Sequence, residues 1–60
     1  MTEQEIMQWM REKVRRDGFS DAASLARAFL EVHEVTSSLD PVFSQTWDAG
    51  LKLAREIHGL

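Results

Sequence analysis

A chain of 60 residues makes one domain at most. At that size folding removes only about 60% of the unfolded surface from water, so a metal, a disulfide or a second subunit is the usual supplement. With no cysteine, a disulfide framework and thiolate zinc sites are excluded. Apolar and charged fractions of 43% and 28% exclude disordered and collagen-like classes, and a net charge of −3 weighs against the clustered positive charge that non-specific nucleic-acid binding needs. No apolar run approaches the roughly 20 residues that cross a bilayer. The opening MTEQEIMQW lacks the basic-then-apolar pattern of a secretion signal, so the chain is expected in the cytoplasm and off the membrane.

Residues 1–60 are read as a single all-α domain, a three-helix bundle with helices over about 2–17, 20–36 and 41–58. The first helix opens on Thr2-Glu3-Gln4-Glu5, the spacing of a capping box. Its end is placed at Asp17, with Gly18 in a left-handed C′ conformation and Phe19 touching Val14, as in a Schellman ending. Ser20 is expected to cap the second helix, which runs through an Ala-rich stretch and fades near Val35-Thr36-Ser37-Ser38, where β-branched and hydroxyl side chains compete for the backbone. The third helix has the clearest start, a capping Asp40 followed by Pro41 at the first helical position, and ends at Gly59.

Projected at about 100° per residue, the helices differ in what they must bury. On the first, Ile6, Met7, Met10 and Val14 form a narrow stripe, with Trp9 outside it. The second and third carry apolar arcs of about 220° and 200°, more than one small bundle hides. Phe43, Trp47, Leu51 and Ala54 are assigned to the core, and the opposite flank of the third helix, centred on Val42, Ala49 and Leu53, to the interface of a two-fold homodimer. Gly50, unfavourable inside a helix by about 1 kcal/mol against alanine, points to the close approach of another helix.

Residues able to do chemistry are few. His33 and His58 are the only histidines, and neither stands at i, i+4 spacing to a second ligand, so no metal or cofactor is expected. His33 reads as a boundary residue with one ring nitrogen hydrogen-bonded, and His58 as a favourable charge near a helix C-terminus. The serines fall at caps, on polar faces or in the break, none beside a base, and no glycine-rich phosphate loop is present. An enzyme is not expected, and no catalytic residue is assigned.

Two binding functions remain. Four of the seven basic residues, Arg11, Lys13, Arg15 and Arg16, lie at the end of the first helix, where cations complement the helix dipole. Together with Trp9, a residue type that often dominates binding energy, Arg11 and Arg15 make the expected partner-binding set of a small regulator or inhibitor that docks on another protein. Short acidic helical chains of this type occur among phage and mobile-element accessory proteins, an analogy of type that assigns no residue. The alternative is a helix-turn-helix regulator in which the third helix reads DNA through Ser44 and Gln45, with Lys52 for phosphate. Against it, the break holds no basic residue and no glycine, and Asp48 and Glu56 offset Lys52 and Arg55.

Overall fold

The computed structural model describes residues 2–59, and the fold is a small all-α bundle of three helices: α1 (Glu3–Asp17), α2 (Ala22–Val32) and α3 (Pro41–His58). The capping box forms as the spacing requires. Thr2 Oγ1 accepts from the Glu5 amide at 3.3 Å, and Glu5 Oε1 accepts from the Thr2 amide at 3.1 Å. Asp40 accepts from the Val42 amide at 2.9 Å with Pro41 opening α3. Glu3 and Glu5 in the first turn of α1, and Arg15 and Arg16 in its last, complement the helix dipole at both ends.

Both ends of α2 differ from the expectation. Its cap is Asp21, not Ser20: the Asp21 carboxylate accepts from the Ser24 amide at 2.7 Å. Gly18 has the expected positive φ of 83°, but with ψ 170° the chain leaves α1 extended, so Ser20 falls one residue short of the helix start. The Gly18 amide donates to the Val14 carbonyl at 2.8 Å, in place of the two crossed bonds of a Schellman ending.

That motif closes α2 instead, at Val32 and well before residue 36. The Val35 amide donates to the Leu30 carbonyl at 2.9 Å and the Glu34 amide to the Glu31 carbonyl at 3.2 Å, with Glu34 left-handed at φ 55°. Val35, carried past the end of α2, lines one groove with Leu30, the apolar clasp of this motif.

α3 is the central helix, packed on both α1 and α2, which touch each other least. Ile6 and Met10 of α1, Leu25 and Phe29 of α2, and Ala49 and Leu53 of α3 are the buried core; Met7, Trp9, Val14, Phe19 and Val42 pack against it half-buried. The α1 stripe is therefore as the sequence implies. On α3 the two flanks are exchanged. Val42, Thr46, Ala49 and Leu53, spaced four, three and four apart, face inward. Leu51, assigned to the core, is 47% exposed. Small residues decide this orientation: a Cβ on Gly50 would stand 3.2 Å from the Ala22 carbonyl oxygen, so α2 crosses α3 where α3 is slimmest. Thr46 enters the interior because its hydroxyl donates to the Val42 carbonyl at 2.6 Å, leaving no unpaired polar group.

Candidate binding surface

Two of the four basic residues at the end of α1 are paired within the chain. Arg11 reaches across to α3 and donates to both carboxylate oxygens of Glu56 at 3.2 Å. Lys13 pairs with Asp17 at 3.1 Å within α1. Nearer the start of α1, Glu3 accepts from Lys52 at 2.6 Å, a second strap between α1 and α3. The neighbouring Glu3 carboxylate raises the Lys52 ammonium above its ordinary pKa, through the hydrogen bond first and then through its charge. Arg11, expected to meet a partner, is thus an intramolecular strap. Being about half exposed, it contributes little to stability.

Trp9 and Arg15 do come together. With Glu12 and Arg16 they line a shallow concavity on the outside of α1. Trp9 is nevertheless only half-exposed, because its ring meets Phe29 edge-on at a centroid distance of 5.3 Å and an interplanar angle of 86°. Phe29 also carries His33, stacked at 4.0 Å and 20°. His33 Nδ1 lies 3.0 Å from the Phe29 carbonyl oxygen, which can only accept, so Nδ1 is the donor. This matches the boundary role read from the sequence. Trp9 is a wall of the core over α2, which withdraws most of its apolar face from any partner.

The residues assigned to a dimer interface are interior. Ala49 is 0% and Leu53 4% exposed, so neither can meet another molecule while the fold is intact, and Val42 is half-buried against the core. The physical reason is the exchanged orientation of α3: the flank of Phe43, Trp47 and Leu51 is the bulkier, whereas close packing selects the flank of small residues.

The DNA-reading set is dispersed. Ser44 is exposed on the outward face of α3, Gln45 is half-buried with its side-chain oxygen shielded and unbonded, and Lys52 is turned toward α1 by Glu3. α2 and α3 are separated by residues 33–40, longer than the turn of three or four residues that a helix-turn-helix uses.

What the exchange exposes is the outward flank of α3, which sequence reasoning placed inside. Phe43 and Trp47 are half-buried, stand outside the core cluster and approach each other at 6.5 Å between ring centroids. Leu51 follows one turn later at 47% exposure, with half-buried Ala54 beyond it. The indole nitrogen of Trp47 is shielded from solvent without a hydrogen-bond acceptor. Asp48 and Arg55 border Leu51, both exposed. The signal that could have revealed this face is the four-three-four spacing of Val42, Thr46, Ala49 and Leu53, obscured because threonine is not counted as apolar.

No group of three His, Cys, Asp or Glu side chains able to hold a metal occurs among the described residues, and no described helix is long and apolar enough to cross a membrane. Compared with known protein families, with characterised proteins and with solved structures, the chain matches none.

Proposed function

We propose that this chain is a non-enzymatic binding protein, a small regulator or inhibitor that docks the outward flank of α3 on another protein. The observation that carries this reading is the contiguous row Phe43, Trp47, Leu51 and Ala54, which stays partly open to solvent while a separate core is fully formed. Scattered single apolar residues are ordinary on a protein surface. Here they follow one another by four, four and three residues along one rigid helix and include two aromatic rings, the residue type most enriched at binding hot spots. Helical grooves on other proteins recognise rows of this spacing.

The test is Leu51→Glu, which alters an exposed position. The variant is expected to keep its helicity and melting temperature, and to lose the protein that the unaltered chain retains from an extract of its host. Retention of that same protein by Leu51→Glu contradicts the reading.

A further inference from the structure

The charges around Leu51 bear on what the flank takes. Asp48 lies three residues before Leu51 and Arg55 four after it, so along the helix they stand about 4.5 Å and about 6 Å from its level on opposite sides. Both are exposed, and among the described residues neither has an ion-pair partner within the chain, unlike Arg11, Lys13 and Lys52. A helix with one acid and one base at near-equal offsets from an apolar centre is complementary to itself when reversed.

We infer that, in the absence of its protein partner, the outward flank is occupied by a second copy of this chain, with the two α3 helices antiparallel and crossing at Leu51. This rests on the reading of the flank as a docking face. In that pairing Leu51 meets Leu51, and each Asp48 lies across from Arg55 of the other copy, giving two identical ion pairs about the two-fold axis. Trp47 and Ala54, one turn to either side of Leu51, close over the centre. A parallel pairing sets the two Asp48 at one level and the two Arg55 at another, so only the antiparallel arrangement brings unlike charges together across the two copies. One flank of an 18-residue helix is about 27 Å long. That offers less than the roughly 800 Å² per partner of a standard stable interface, so the dimer is weak and forms with rising concentration.

Sedimentation equilibrium of the unaltered chain over about 10 µM to 1 mM, with charge-swap variants beside it, tests the inference. The mass is expected to rise from one chain toward two across that range. Asp48→Arg and Arg55→Asp, each placing like charges across the axis, are each expected to weaken association by about tenfold or more. The double swap, which restores complementarity, recovers most of it. All these positions are exposed, and circular dichroism of each variant checks that the helices persist. A single-chain mass throughout the range overturns the inference, as does a dimer that the single swaps leave intact or that the double swap fails to restore. A chain that stays monomeric yet captures a different protein in a Leu51-dependent way removes the second copy while leaving the docking flank standing.

Discussion

Gly50 of α3 lies so close to Ala22 of α2 that a Cβ at Gly50 would stand 3.2 Å from the Ala22 carbonyl oxygen and 3.8 Å from the Met10 methyl group. All three helices meet at this point. The neighbour that would have to yield is backbone in the first turn of α2, held by the Asp21 cap, so it cannot give way as a flexible side chain does. Gly50→Val is expected to destabilise the fold by about 1–3 kcal/mol through overpacking, despite removing a glycine from a helix interior. Chemical denaturation measures it. A variant as stable as the unaltered chain would show that α2 and α3 do not approach here.

The residue holding the left-handed position at the end of α2 is Glu34, with φ 55°, where most helices place glycine. A side chain there is strained by about 1 kcal/mol. Glu34→Gly is therefore expected to raise stability by about 0.5–1 kcal/mol, the added unfolded-state freedom of glycine offsetting part of the gain. Gly18 is the mirror case: its φ of 83° strains any other residue, so Gly18→Ala lowers stability by about 1 kcal/mol although the space around it is open. Thermal melts of the two variants should move in opposite directions, and parallel shifts would contradict the assignment.

How much of this was legible in the sequence varies with how local the deciding physics is. Thr2 with Glu5, and Asp40 with Pro41, involve only neighbours, and both formed as read. Ser20 and Asp21 are equally good capping residues, and the choice between them depends on the direction in which the chain leaves Gly18. A Schellman ending on glutamate carries no compositional mark. The orientation of α3 is not legible from its two apolar flanks alone, because a helix that packs on two others turns its slim side, Ala49 and Gly50, toward them. Arg11 and Lys52 found carboxylates 45 and 49 residues away, partners that no local pattern announces.

The caps and straps also set the pH response. The Asp21 carboxyl is held below its ordinary value of 3.8, chiefly by the Ser24 amide and then by the Ser24 hydroxyl, so folding favours its ionised form. Such a group contributes stability above the ordinary carboxylate range and loses it as pH falls through the lowered folded-state value. Lys52, raised by Glu3, has the opposite sign: its contribution is present below the ordinary lysine value of 10.5 and is lost at higher pH. Asp21→Ala is expected to melt below the unaltered chain near neutral pH, with the gap closing at about pH 2. Melting curves across that range check it, and a gap independent of pH would contradict the cap.

Which side of α3 faces the core is tested most directly by a pair of substitutions two residues apart. Leu53→Glu places a charge at a 4% exposed position among Ile6, Met10 and Phe29, whereas Leu51→Glu places one at a position 47% exposed. A domain of this size is stable by only about 3–9 kcal/mol, and an unpaired charge in the interior removes about 3–5 kcal/mol of it. Helicity and thermal melting at about 5 µM, where self-association adds little, should show Leu53→Glu unfolded or nearly so. Leu51→Glu should stay within about 0.5 kcal/mol of the unaltered chain. The reverse result, a folded Leu53→Glu beside an unfolded Leu51→Glu, would contradict the orientation of α3 and the docking flank with it.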